Sequence, residues 1–145
     1  MGSKYWMQRH HEEVAKAKTF SELLAIANDI IDSMPGPVVL VSGPISSGGR
    51  GSITENLKAL EDNIFAMEMR GENVWNQLPF ENKFSELAKG HEGYFMPILE
   101  EFFLPIFKSG KIKKIWFMTG WETSTGATWE YEQAKKLRIE IGFID

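Results

Sequence analysis

Two short apolar runs, each followed by a polar loop and a helical pattern, place the strongest constraint on the fold of this chain. The first run covers residues 38–41 (VVLV), is β-branched and is bounded by turn residues, and the second covers residues 115–118 (IWFM). Such runs are typical of strands that are buried on both faces. Because strands alternate with helices along the chain, we expect an α/β fold with a parallel sheet.

Capping residues and helical periodicity predict the helices around these strands. Thr19 and Glu22 have the Thr-x-x-Glu spacing of a capping box, and Ser52 and Glu55 repeat it before a second apolar helical face. Pro105 is expected to kink or end the helix that contains it. The remaining elements follow from weaker patterns, with helices within residues 5–18, 84–87, 96–108 and 124–138 and short strands at residues 74–75 and 140–144.

The 145 residues suffice for one domain with a real core. We expect a mostly parallel sheet of four to five strands between two helical layers, a three-layer sandwich. Residues 1–36 are expected to form an N-terminal helical extension and residues 37–145 the α/β domain, in one compact unit.

The composition of the chain indicates which kinds of partner and which cellular compartment to expect. A net charge of −4 argues against a nucleic-acid partner, which normally requires a basic face. The chain has no cysteine, which excludes disulfides and thiolate metal sites and suits a reducing compartment. No apolar run approaches the roughly 18 residues of a membrane helix, and no signal peptide is evident. We therefore expect a cytoplasmic protein without a membrane partner.

Neighbouring histidines raise the question of a metal site. His10 and His11 would point about 100° apart on a helix, which makes them poor ligands of one ion. They also lack the His-Glu-x-x-His spacing of a zincin. We expect them to lie on a solvated helix surface and expect no metal site.

A glycine-rich loop, residues 42–51, follows the first strand. The Walker A spacing from Gly43 to Gly48 is present, but the lysine and hydroxyl residue that should follow are absent. The dinucleotide fingerprint also fails, because Thr54 stands where its third glycine belongs. Two interpretations remain. The loop is either a plain turn or an anion site, in which backbone N–H groups at a helix start and Arg50 bind a group such as a monophosphate.

A second loop, at residues 121–126, opens another helix. Ser124 has the position and side chain of an N-cap. Because the carboxyl ends of neighbouring parallel strands face one crevice, the two loops are expected to meet there. Glu130 either points into that crevice or is an ordinary exposed glutamate. Trp121 and Trp129 either stack on a flat base or fill the core.

The residues of both loops together resemble a known family. Gly43-Pro44-Ile45 follows the first strand, and residues 121–130 carry the pattern Trp-x-x-Ser-x-Gly-Ala-x-x-Glu. This combination resembles the nucleoside 2-deoxyribosyltransferase superfamily, which includes 2′-deoxynucleoside 5′-monophosphate N-glycosidases. It is most similar to an uncharacterised phage and bacterial branch. The resemblance covers roughly residues 38–144.

The resemblance implies a flavodoxin-like fold, a homo-oligomer that is a dimer or larger, no cofactor, and a small-molecule nucleoside or nucleotide as ligand. It implies that Glu130 is the catalytic nucleophile, which attacks C1′ of the sugar to form a glycosyl-enzyme intermediate. The helix start is expected to keep Glu130 ionised. The predicted substrate-binding residues are Gly43, Pro44, Ile45, Ser46, Arg50, Asn76, Trp121, Ser124 and Gly126.

One position departs from the family pattern. Family members place an Asp near the nucleophile, between the two motifs, but this chain has no Asp between Asp62 and Asp145. The acids considered in its place are Glu81, Glu86, Glu92, Glu100 and Glu101.

Three hypotheses of function follow. The chain hydrolyses or exchanges an N-glycosidic bond, or it binds or senses a nucleotide-like ligand without turnover. In the third, it is a small interaction protein with a degenerate pocket, which predicts that Ser124 and Glu130 do not face a common cavity.

Overall fold

The structure, a computed structural model, describes residues 5–46 and 48–145. Within these residues it contains three β-strands, β1 (Val38–Ser42), β2 (Ile112–Phe117) and β3 (Glu140–Phe143). The same residues form six α-helices, α1 (Gln8–Lys16), α2 (Phe20–Ser33), α3 (Ile53–Met69), α4 (Glu81–Leu87), α5 (Leu104–Lys108) and α6 (Thr125–Leu137). Short 3₁₀ turns cover Leu78–Phe80 and Trp121–Thr123, and a π-helical segment covers Ile98–Phe103.

The three strands form a parallel open sheet in the order β1, β2, β3, which is the mixed α/β architecture that the alternation of elements predicted. On the free side of β1, Val74 makes an isolated parallel bridge to Val39. The expected four to five strands are therefore corrected to three within the described residues. The pairing stops beyond Trp75, because the next carbonyl of β1, that of Val41, accepts its hydrogen bond from the Gln77 side chain, 3.0 Å away.

Helices cover both faces of the sheet, consistent with an α/β sandwich. Successive side chains of β1 enter different apolar clusters, as the alternation of a strand requires. Val38 and Leu40 join the larger cluster, while Val39 and Val41 join the smaller one. The larger cluster includes residues of α2, α5 and α6, and the smaller one includes Leu60, Ile64 and Met67 of α3.

The helix starts follow the capping residues. The Thr19 hydroxyl accepts a hydrogen bond from the Glu22 N–H at 3.2 Å, and the Glu22 carboxylate accepts one from the Thr19 N–H at 3.1 Å, so the predicted capping box is confirmed. Ser52 caps α3 through the Glu55 N–H at 3.2 Å. The helix that contains Pro105 changes from π-helical to α-helical hydrogen bonding at Leu104, one residue before the proline. Pro105 disturbs a regular α-helix because proline has no N–H and its ring clashes with the carbonyl four residues earlier.

Two sequence expectations about charged and polar residues need correction. β2 begins at Ile112, before the apolar run. The strand can include Lys114 because its ammonium lies 3.1 Å from a carboxylate oxygen of Glu140 and over the Trp116 ring.

His10 is only 2% exposed, and its Nε2 lies 2.7 Å from Asp29 Oδ2. Its Nδ1 accepts the Met7 N–H at 2.9 Å, so this histidine caps α1 rather than facing solvent.

The N-terminal helices share the main core. Leu23 and Ile30 of α2 are fully buried in the same cluster as Phe102. Two hydrogen bonds also tie this region to the segment that follows Val74. The Trp6 Nε1–H donates to the Asn76 carbonyl at 2.7 Å, and the Lys83 ammonium donates to the Ala15 carbonyl at 3.0 Å. Within the described residues, no helix is long and apolar enough to cross a membrane.

Candidate functional site

A pocket of about 210 Å³ opens beyond the carboxyl ends of β1 and β2. The loop after β1 contributes Gly43, Ile45 and Ser46 to its wall, and α6 contributes Ser124 and Glu130 among others. The third side of the wall comes from residues between 77 and 103, which include the start of α4 and the π-helical segment. The two loops that the sequence singled out therefore meet at one cavity, as the parallel sheet predicted.

Glu130 is the buried carboxylate of this pocket, 6% exposed. Its Oε1 accepts a hydrogen bond from the hydroxyl of Ser42, the last residue of β1. Burial raises the pKa of Glu130 to about 7, and the Ser42 hydroxyl partly opposes this rise because it stabilises the ionised form. The helix start therefore does not hold the pKa of Glu130 at or below its ordinary value, as had been expected of it. Glu130 lies beyond the first turn of α6, where the helix dipole has little effect.

A second carboxylic acid, Glu81, lines the same pocket from the first turn of α4. Its side chain is only partly exposed, and burial raises its pKa to about 8, with the negative charge of Glu130 as a second cause. Glu81 is one of the five acids that the sequence offered in place of the missing Asp. Two carboxyl groups in one pocket with raised pKa values are typical of acid–base sites.

Tyr94 adds a hydroxyl to the wall of the same pocket. Burial and the charges of Glu130 and Glu81 raise the pKa of Tyr94, so its hydroxyl stays protonated and can donate a hydrogen bond. The ring lies close to Gly126, because a Cβ added there would be 2.6 Å from the Tyr94 hydroxyl oxygen. A side chain at Gly126 would therefore displace the Tyr94 hydroxyl from its position.

The glycine-rich loop is held by its own neighbours. Asn56 of α3 donates through Nδ2 to the carbonyls of Ile45 (2.9 Å) and Gly48 (3.2 Å), and its Oδ1 accepts the Arg50 N–H at 2.8 Å. The Gly49 N–H donates to the Thr123 hydroxyl at 2.7 Å. Two of the N–H groups that the anion-site interpretation relied on are thus already hydrogen-bonded within the chain.

The predicted site residues divide into two groups. Those that line the pocket are Gly43, Ile45, Ser46, Ser124, Gly126 and Glu130. The others lie elsewhere. Pro44 and Arg50 line a separate cavity that also includes Asp145. Asn76 is buried, and its Oδ1 accepts the Leu78 N–H at 3.0 Å. Trp121 stacks on Tyr131 with ring centres 4.6 Å apart and packs against the core, which is the core-filling interpretation of this residue.

Sequence reasoning did not single out several residues at or beside the pocket. Ser42, which donates a hydrogen bond to Glu130, ends an apolar strand, and its place at the carboxyl end of β1 is a signal that could have identified it. Gln77 and Tyr94 belong to no motif and reach the pocket only through the fold. The π-helical segment contributes Ile98 and Leu99, and such segments are frequent at functional sites.

The described residues contain no group of three or more histidine and acidic side chains that could hold a metal ion. Comparisons of the chain with protein-family models, with curated proteins and with solved structures found no match.

Proposed function

We propose that this protein cleaves or exchanges the N-glycosidic bond of a nucleoside or nucleotide, as a member of the nucleoside 2-deoxyribosyltransferase superfamily. Glu130 is the nucleophile and Glu81 is the acid–base partner. The observation that carries this proposal is that Glu81 and Glu130 line one pocket, where the charge of Glu130 raises the pKa of Glu81.

The arrangement of the sheet supports a flavodoxin-like fold. Taken in chain order, the strand-like segment at Val74 lies beside β1, and β2 and β3 follow on the other side. This is the start of the 2-1-3-4-5 order of flavodoxin-like proteins, whose ligands bind where the strand order reverses. The pocket lies at that point, beyond the ends of β1 and β2.

In the first step, an oxygen of the Glu130 carboxylate attacks C1′ of the sugar. The bond between C1′ and the base nitrogen breaks, and its electron pair leaves with the base. Glu81, in its protonated form, gives its proton to that base. The result is a glycosyl ester on Glu130 and an ionised Glu81, as in a retaining glycosidase.

In the second step, the ionised Glu81 takes a proton from water as the water oxygen attacks C1′. The ester bond to Glu130 breaks, and its electron pair returns to the carboxylate. A second base in place of water gives transfer instead of hydrolysis. The mechanism requires ionised Glu130 and protonated Glu81, a combination that their pKa values of about 7 and about 8 favour between those pH values.

The test is release of free base from a panel of deoxynucleosides and their 5′-monophosphates at pH 7.5, followed by liquid chromatography. Glu130→Gln should abolish release, and Glu81→Gln should slow it on the order of 100-fold or more. Glu132→Gln is the matched control, since Glu132 is an exposed glutamate on the same helix. The proposal fails if no substrate yields free base, or if Glu130→Gln matches the wild type.

A non-catalytic protein that binds or senses a nucleotide-like ligand is the second candidate. One observation favours it: burial keeps Glu130 protonated below pH of about 7, and a protonated carboxyl is a poor nucleophile. Thermal stabilisation by a ligand that is never cleaved, at any pH from 6 to 9, would support this candidate.

The third hypothesis, a degenerate pocket, loses most of its support because Ser124 and Glu130 line the same cavity. Assembly into a homo-oligomer and a cytoplasmic location remain part of the proposal and rest on the resemblance and the composition. Sedimentation of the purified chain tests the first, and fractionation of the source cells tests the second.

A further inference from the structure

We propose that the pocket accepts uncharged nucleosides and discriminates against their 5′-monophosphates. This inference rests on the proposed function, because it concerns the ligand of the same pocket. It decides between the two substrate classes that the family resemblance leaves open.

The acids of the pocket are the first reason. Glu81 and Glu130 both line this pocket, and the charge of Glu130 already makes ionisation of Glu81 harder. A phosphate monoester carries a charge of about −1.5 to −2 at neutral pH. At pH 7.5 Glu130 is largely ionised and Glu81 largely protonated, so a phosphate would enter a pocket that already holds one negative charge.

The remaining polar groups of the wall are the second reason. They are amides and hydroxyls, and the main ones are Ser46, Gln77, Asn82, Ser85 and Ser124. Such neutral groups suit sugar hydroxyls and the edge of a base. Among the described residues that line the pocket, none is a lysine, an arginine or a histidine that would pair with a phosphate.

The glycine-rich loop, the expected phosphate site, is the third reason. Its N–H groups at Gly49 and Arg50 already donate to Thr123 and Asn56. The one arginine of the loop, Arg50, lines the separate cavity with Asp145. Two N–H donors of the loop are therefore committed within the protein, and its arginine lines another cavity.

The experiment compares each nucleoside with its 5′-monophosphate for the wild-type chain at pH 7.5. We expect kcat/KM for base release to be on the order of 100-fold higher for the nucleoside, because like charges brought together repel strongly. Equal values, or a preference for the monophosphate, would overturn the inference.

Binding to Glu81→Gln separates this inference from the proposed function, since this variant keeps the Glu130 charge and thermal shift reports binding whether or not any bond is cleaved. Nucleosides should stabilise this variant at millimolar concentration and monophosphates should not. If free base is never released but this difference persists, the proposed function fails and the inference stands. If neither ligand stabilises the protein, or the monophosphate does so more strongly, the inference fails.

A charge-matched pair of variants tests the stated cause. Glu130→Gln in the Glu81→Gln background should bring the two ligands roughly tenfold closer in affinity, because it removes the remaining acid. Glu132→Gln in the same background is the control, since it makes the same change on α6 at an exposed residue. An equal effect of both changes would contradict a role for the pocket acid.

Discussion

The hydroxyl of Ser42 donates a hydrogen bond to the carboxylate of Glu130 across 88 residues of sequence. The bond is buried, joins the end of β1 to the carboxylate that α6 contributes to the pocket, and restricts the orientation of that carboxylate. It is also the group that lowers the pKa of Glu130 against the effect of burial. A strand-end serine thus sets how much of the proposed nucleophile is ionised near neutral pH.

Ser42→Ala should raise the pKa of Glu130 and move the acidic limb of the pH–rate profile to higher pH. A hydrogen bond to a charged group contributes about 1.5–3 kcal/mol, which corresponds to a shift of about one unit or more. The profile of kcat/KM from pH 5.5 to 9 measures it. Ser85→Ala, at a serine that lines the pocket, serves as the control, and identical profiles for both variants would contradict the role of Ser42.

The two raised pKa values predict a stability that falls as pH rises. The ordinary value is 4.5, and the folded values are about 7 for Glu130 and about 8 for Glu81. Between pH of about 4.5 and 8 the folded state therefore binds more protons than the unfolded state, so the free energy of unfolding decreases with pH. Urea unfolding at pH 6 and pH 9 measures this decrease.

Glu130→Gln should flatten that dependence, because the amide is never ionised. At pH 9 its melting temperature should exceed that of the wild type by several degrees, at about 2–4 °C for each kcal/mol. Glu132→Gln, at the exposed position, should leave the pH dependence unchanged. A wild type whose stability is constant from pH 6 to pH 9 would show that the two acids are not perturbed as stated.

Gly126→Ala should weaken ligand binding and lower the free energy of unfolding by about 1–3 kcal/mol, the usual cost of overpacking. The added Cβ would lie 2.6 Å from the Tyr94 hydroxyl oxygen but 3.4 Å from the ring carbon that carries it. Tyr94→Phe removes the clashing oxygen, so the double variant should recover most of the stability lost by Gly126→Ala. Additive losses in this double-mutant cycle would contradict the contact.

Asn56→Ala should loosen the glycine-rich loop, because it removes the three hydrogen bonds that hold the loop to α3. A loss of roughly 2–4 kcal/mol in the free energy of unfolding is expected, together with faster proteolysis within residues 45–50. Asn63→Ala is the control on the same helix, since its one side-chain bond, to the Ala59 carbonyl at 2.8 Å, stays within α3. Equal proteolysis of both variants would count against Asn56 as the anchor.

Local signals predicted most of the fold. The Thr19–Glu22 pair, the Ser52 cap and the apolar run of β1 act on neighbouring residues, so the structures they form depend little on distant parts of the chain. The start of β2 could not be predicted from local signals, because Lys114 is stabilised in the strand by the Trp116 ring and by an ion pair with Glu140 on the next strand. Whether His10 is buried likewise depends on Asp29 of another helix.

The candidate site was predictable only in part. Ser124 could be placed because helix capping is local, and its place at the end of a parallel strand brought it to the pocket. Glu81 belongs to a short helix without a motif, and nothing in its neighbourhood distinguishes it from Glu86. Only the packing of α4 against the pocket separates these two acids, one beside Glu130 and the other beside Lys83 at the surface.

The hydrogen bonds from Lys83 to Ala15 and from Trp6 to Asn76 have a consequence for any attempt to transplant this site. The proposed nucleophile, Glu130, lies within the segment that resembles a known family, yet the region around the proposed proton donor, Glu81, is hydrogen-bonded to residues that precede that segment. A fragment that begins at residue 38 would keep Glu130 but lose these two hydrogen bonds to the region around Glu81. A fragment that is to retain the proposed site must therefore include residues that precede the part of the chain that carries the motifs.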